Sequence, residues 1–269
     1  MQSDTAKCGG NATNGGHKSA YVGIKFKEGN NMAYTTLPGW DFCFKLAEET
    51  HLMIGGKAGS GKSTLLADLL FTLTGYDPHC EKLVLIDLKR VELIDWVGFP
   101  HTLKCVTEPE DVNDCLDWVI DEMESRYLEM AKKHQKLSDC CEIHVVVDET
   151  AEVMRVRGAE ERIDQIMRLG RAARIHLVMA TQNVARGKGG VPARIWQNVS
   201  CRVGLHCTTP IESRQIIGIK GCESLPRYGQ CYINNADGIR LQSVPQTSEA
   251  MIKERLELYK NGVHFNKVG

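Results

Sequence analysis

Residues 51–64 read HLMIGGKAGSGKST, and this stretch decides the fold. Gly56, four residues, Gly61, Lys62 and Ser63 make the spacing of a phosphate-binding loop. Apolar Leu52-Met53-Ile54 leads in and Leu65-Leu66 follows, so the context is strand, glycine-rich turn, helix. Glycines at 55, 56, 59 and 61 let the backbone wrap tightly with its N–H groups pointing inward. The start of the next helix adds partial positive charge where phosphates would sit. The candidate nucleotide contacts are therefore Gly56, Lys57, Ala58, Gly59, Ser60, Gly61, Lys62, Ser63 and Thr64. Lys62 is placed to reach the β- and γ-phosphates of ATP, and the Ser63 hydroxyl to ligate Mg²⁺. A ligand-free Gly/Ser-rich turn is the bland alternative, and the flanking strand and helix patterns weigh against it.

Farther along, residues 143–150 read IHVVVDET. Val145-Val146-Val147 is a β-branched run of the kind found in strands buried on both faces, and it ends in Asp148-Glu149. An acidic residue at the carboxyl end of such a strand can hold Mg²⁺, which makes Asp148 the second metal candidate. Glu149 is the group to polarise an attacking water, a role suited to NTP hydrolysis coupled to work. Alone, the pair could equally be an acidic helix start favoured by the macrodipole; beside a phosphate loop the functional reading wins. A third apolar run, Ile175–Ala180, ends Thr181-Gln182-Asn183, where Gln182 is a candidate γ-phosphate sensor and a polar strand cap is the alternative. A fourth, Leu83–Ile86, runs into Asp87-Leu88-Lys89-Arg90-Val91-Glu92-Leu93, charged residues that fit a ligand-facing rim of an open α/β sheet.

The 269 residues are 42% apolar and 25% charged, enough for one sizeable α/β core. A net charge of −1 leaves no global basic signature, so any nucleic-acid contact must come from a local patch or from assembly. The 11 cysteines include no CxxC pair, which argues against a zinc ribbon. With no signal peptide and no run of about 18 apolar residues, the expectation is a cytoplasmic protein with reduced, mostly buried thiols and no direct membrane insertion.

Four segments are expected: a disordered Gly/Asn/Ser-rich stretch over 1–19, a β-rich lead-in over 20–50, a motor core over 51–245, and a helix and tail over 246–269. Within the core, helices are read at 62–73, 110–134 and 158–172, with a short one in 184–200. Strands are read at 82–87, 143–148, 175–181, 201–206, 229–234 and 238–243. Alternating buried strands and helices argue a mostly parallel sheet sandwiched by helices, an α/β core of the RecA-like P-loop NTPase type.

At this point the residues resemble the FtsK/SpoIIIE branch of the HerA/FtsK motor ATPases. His51 to Ser63 is similar to that family's HLLVAGxTGSGKS, and Leu85 to Leu93 to its IDPKxxEL block. Trp118–Tyr127 resembles WxxxEMxxRY, Val147 to Met154 resembles VDEFADLM, Arg171 to Gln182 resembles RAAGIHLVLATQ, and Ser213 to Ile217 resembles SRTIL. The ordered similarity covers about residues 45–245. It implies a homo-oligomeric ring, usually a hexamer, that moves double-stranded DNA using ATP and Mg²⁺. By position it assigns Lys62 and Ser63 to phosphate and Mg²⁺, Asp148 to Mg²⁺, Glu149 to water activation and Gln182 to sensing. Arg171 matches the arginine presented to the neighbouring subunit's ATP, a role suited to charge stabilisation; a surface helix arginine is the alternative.

Departures narrow the substrate reading. The family's membrane-spanning amino-terminal region and orientation-reading winged helix have no counterpart in these residues, so a separate anchoring partner stays open as an expectation. Asn183, Trp196 and Pro210 stand where basic pore residues are common. Arg186, Lys188 and Arg214 are the candidate DNA contacts, with Arg194 and Arg202 as further basic residues. The family's LGxGDM loop appears as Leu225-Pro226-Arg227-Tyr228-Gly229-Gln230-Cys231, without its acidic residue. The leading expectation is a DNA-translocating ATPase from a mobile element, conjugative system or phage. A secretion-type motor acting on protein, and a nucleotide-binding switch that does no work, are the alternatives.

Overall fold

The computed structural model describes residues 23–28, 31–36, 49–185, 189–244 and 247–263. The expected disorder over 1–19 and the candidate contacts Arg186 and Lys188 lie outside them. Strands β1 (Gly23–Glu28) and β2 (Asn31–Thr36) pair antiparallel.

The core is an eight-stranded sheet with helices on both faces. Its strands are β3 (His51–Gly55), β4 (Glu81–Ile86), β5 (Thr102–Val106), β6 (Glu142–Val147), β7 (Ile175–Thr181), β8 (Cys201–Gly204), β9 (Gln230–Asn235) and β10 (Gly238–Ser243). They lie in the order β10-β9-β8-β3-β7-β6-β4-β5. From β8 to β5 every pairing is parallel; β9 and β10 form an antiparallel hairpin at one edge. All six carboxyl ends of the parallel strands therefore open on one rim, and that rim holds the site.

The central strands bury both faces, which is why they read as continuous apolar runs rather than alternating ones. Alternate residues serve alternate layers. Met53, Val84, Val145, Val147 and Leu177 face a cluster with helices α2 (Val112–Lys133) and α4 (Ala159–Leu169). Leu52, Ile54, Leu85, Val146 and Val178 face the opposite cluster, with α1 (Lys62–Leu73) and the terminal α7 (Glu249–Lys260). The last helix is bound to the core, not appended to it. Tyr259 Oη donates to the Thr74 carbonyl at 2.8 Å, and the buried Arg255 guanidinium lies 3.2 Å from the Phe71 ring centroid.

Three elements differ from the sequence reading. Strand β5 was not expected: it is an outer, half-buried strand whose TLKCV lacks a long β-branched run. Helix α6 (Pro210–Ile217) was not expected either, although Thr209 and Glu212 form a capping box with proline in its first turn. Helix α4 ends at Leu169, not at 172: a turn over 170–174, with Arg174 at φ 58° and the Ile175 N–H donating to the Gly170 carbonyl at 2.9 Å, leads into β7, and a Cβ on Gly170 would lie 2.4 Å from the Ile175 carbonyl oxygen. A very short α3 (Thr150–Val153) and α5 (Ala193–Asn198) complete the set.

The WxxxEMxxRY-like stretch has a structural explanation. Arg126, 3% exposed, donates to the carbonyls of Cys141 and Ala173 at 2.7 Å each and to Glu122 Oε1 at 2.8 Å. Tyr127 Oη donates to the Leu169 carbonyl at 2.7 Å. These residues tie α2 to the segments that open β6 and β7.

Candidate functional site

The glycine loop connects β3 to α1 at the carboxyl rim, and neighbouring strands pin it on two sides. Gly56 N–H donates to the Thr181 carbonyl at the end of β7, and Lys57 N–H to the His206 carbonyl after β8. Gly59 and Gly61 have φ of 71° and 93°, a region costly for any residue with a Cβ. Gly56 is required by close approach, since a Cβ there would lie 2.6 Å from Ser60 Oγ and 2.8 Å from Leu205 Cβ. The Lys57 side chain turns away from the loop, donating to Thr208 Oγ1 at 2.7 Å. Lys62, Ser63 and Thr64 form the first turn of α1.

Lys62 is 6% exposed and has no salt-bridge partner among the described residues. Burial pushes its ammonium pKa down, only partly offset by the charges of Glu149 and Asp148. A buried, under-compensated cation inside an N–H cradle suits a polyphosphate. Asp148 shows the complementary strain. Burial pushes its carboxyl up to about 6; Lys89 opposes this, while Asp87, Glu92 and Glu149 add to it. Ser63 hydroxyl and a carboxylate crowded by other carboxylates form a hard-oxygen donor set that fits Mg²⁺.

Glu149 is held from three directions. Thr181 Oγ1 donates to its Oε1 at 2.7 Å, the Gln182 N–H approaches both oxygens at 3.1 Å, and Lys89 Nζ reaches Oε2 at 3.3 Å. The Gln182 side chain itself is exposed, so its tie to Glu149 runs through the backbone. Lys89 and Thr181 are functional candidates to which the sequence pattern alone assigns no role. Lys89 is aimed by Asp87, whose carboxylate accepts N–H groups from Lys89, Arg90, Val91, Glu92 and Leu93 at 2.9–3.1 Å. The charged block after β4 is thus a carboxylate-centred loop that delivers one ammonium to the Glu149 carboxylate.

The structure gathers residues 56–64, Asp148, Glu149 and Gln182 at one rim and leaves Arg171 apart. Arg171 is exposed in the turn before β7, at the opposite rim, and not on a helix. Among the basic candidates, Arg194 pairs with Glu160 at 2.8 Å and Arg202 donates to the Trp196 carbonyl at 2.6 Å. Trp196 is core, with no exposed surface. Arg214 is exposed on α6.

A parallel α/β sheet with a glycine loop, a buried lysine and an acidic pair at its carboxyl rim defines a P-loop NTPase. Solved structures share this fold. The cytoplasmic domain of the Thermomonospora curvata type VII secretion ATPase EccC superposes with a TM-score of 0.68 at 22% identity, over 91% of this chain and 31% of that one. The pCW3 conjugation coupling protein TcpA gives 0.69 at 18% identity, over 90% and 71%. The sequence profile of the FtsK/SpoIIIE family matches residues 17–140. A DNA translocase FtsK from Tropheryma whipplei is 33% identical over 241 residues, which is 80% of this chain and 32% of that protein. The chain belongs to the FtsK/SpoIIIE family of P-loop ATPases. It spans about a third of the length of the curated relatives it matches. No helix among the described residues is long and apolar enough to cross a membrane.

Proposed function

We propose that this chain is the motor of an ATP-hydrolysing ring, usually a hexamer, that moves double-stranded DNA in the cytoplasm. The motor unit spans residues 51–245. The observation that carries the ATPase reading is the convergence of buried Lys62, Asp148 and a triply held Glu149 on one glycine loop. Family membership supports the DNA reading.

In this reading the loop N–H groups and Lys62 hold the phosphates of ATP, and Ser63 and Asp148 hold Mg²⁺. The ion, when bound, neutralises charge developing on the transferred phosphoryl group. Glu149 orients the attacking water and accepts its proton, with Thr181, the Gln182 N–H and Lys89 fixing its carboxylate. Gln182 reports on the γ-phosphate. Arg171 faces the opposite rim from its own loop, so it acts on a neighbour's nucleotide; a lone subunit is then nearly inactive.

Protein as the cargo is the second reading. It is favoured by the thin basic surface: Arg194 and Arg202 are engaged internally, and Asn183 and Trp196 replace basic residues. Steady-state ATP hydrolysis at low salt, with and without long double-stranded DNA and beside a Glu149→Gln control, separates the readings. Stimulation by DNA that fades with salt supports the DNA motor and makes Arg186, Lys188 and Arg214 the contacts to vary. Hydrolysis that depends on Glu149 but ignores DNA favours a protein cargo, and normal turnover by Glu149→Gln removes the site assignment.

A further inference from the structure

The segment before β9 lies at the nucleotide rim, because β9 runs antiparallel to β8 and so begins where the parallel strands end. The hydrolytic groups Asp148 and Glu149 follow β6, on one side of β3. A nucleotide with its terminal phosphate toward them extends its nucleoside to the other side, toward β8 and β9. There the structure sets two side chains on the glycine loop. A Cβ built on Gly59 would lie 3.0 Å from Arg227 Nη2 and 3.6 Å from its Nε. One built on Gly61 would lie 4.0 Å from Tyr228 Cβ. The Arg227 guanidinium is 5.7 Å from the Tyr228 ring centroid, and Gly229, with φ of 87°, turns the chain into β9.

Both side chains are exposed, Tyr228 by 61%, and no carboxylate among the described residues pairs with Arg227. An unpaired cation beside a solvent-facing aromatic ring, both against a phosphate cradle, matches a phosphate chain continued by a purine base. Arg227 also departs from the family pattern stated above. In the LGxGDM-like segment, aligning Gly229 leaves Arg227 where the family pattern has glycine and Tyr228 at its variable position.

We propose that Arg227 and Tyr228 form a nucleotide clamp supplied in cis, with Arg227 on a phosphate oxygen and the Tyr228 ring against the purine base. The clamp rests on the reading of residues 56–64 as the ATP site. Calorimetric titration of the full chain with ADP and with inorganic tripolyphosphate tests it. Arg227→Ala is expected to weaken both probes by about tenfold, and Arg227→Lys to recover part of that loss. Tyr228→Ala should weaken ADP by about fivefold and leave tripolyphosphate unchanged, while Tyr228→Phe binds both as the natural protein does. In steady state the Arg227 effect should appear in KM with kcat nearly unchanged. ADP affinity unaltered by Arg227→Ala overturns the clamp, as does equal loss of both probes in Tyr228→Ala. A Lys62→Ala control that still binds ADP fully overturns the underlying site instead.

Discussion

At the amino-terminal rim of the parallel sheet, Glu142 holds Arg174 at 2.6 Å and His176 at 2.7 Å, and Glu81 holds His144 at 2.7 Å. His144 stacks on His176, and His51, pushed down to about 4 by burial and therefore neutral, bonds the Met167 carbonyl. At the carboxyl rim, about 20 Å away by the length of six-residue strands, Lys62 and Asp148 are equally buried, yet neither has a salt-bridge partner among the described residues. One rim satisfies its charges internally; the other pairs Lys89 with Glu149 but leaves Lys62 and Asp148 for something not part of the chain. Buried charge without a partner costs stability, so a fold tolerates it where a ligand returns the difference.

The sharpest way to break this comparison is to remove one charge at each rim. Arg126→Ala, beneath the amino rim, strands the buried Ala173 carbonyl, the part-buried Cys141 carbonyl and the Glu122 carboxylate, and is expected to cost about 3–5 kcal/mol in urea unfolding. A loss below about 1 kcal/mol would show that the amino rim is not the closed structure described.

At the carboxyl rim the sign reverses. Asp148 has a folded pKa raised to about 6 from 3.8, so its charged form disfavours folding above about pH 6 and the penalty fades as pH falls toward 3.8. Asp148→Asn in metal-free protein should therefore raise stability at about pH 8, by on the order of 1–3 kcal/mol, and give no advantage at about pH 4. Destabilisation at about pH 8 would mean that Asp148 is already compensated.

The smallest effect concerns Lys89, whose side chain is 38% exposed and worth little to stability. Lys89→Met should leave the unfolding midpoint nearly in place and slow Glu149-dependent ATP turnover by about tenfold, because one of three constraints on the carboxylate is gone. Unchanged turnover would confine the orienting role to Thr181 and the Gln182 N–H.

Local pattern carried much of the fold. Leu52–Ile54, Val145–Val147 and Ile175–Ala180 are legible as buried strands because strands covered on both faces need apolar residues at every position. The half-buried β5 carries no such constraint and escaped the reading, as did α6, whose cap is the only local sign of it. The glycine loop and the Asp148-Glu149 pair were legible because their backbone and metal chemistry admits few residue types.

Residues 56–64 and 148–149, taken alone, thus pointed to a P-loop NTPase and named the candidate groups of its site. Only the tertiary structure decided which long side chains meet them. Lys89 reaches Glu149 across 60 positions of sequence, and Arg227 stands on Gly59 from the segment that leads into β9. Spacing in the chain encodes turns, helices and strand faces, which are local. Contacts between side chains on different loops depend on strand order and direction, which arise only when the sheet is assembled.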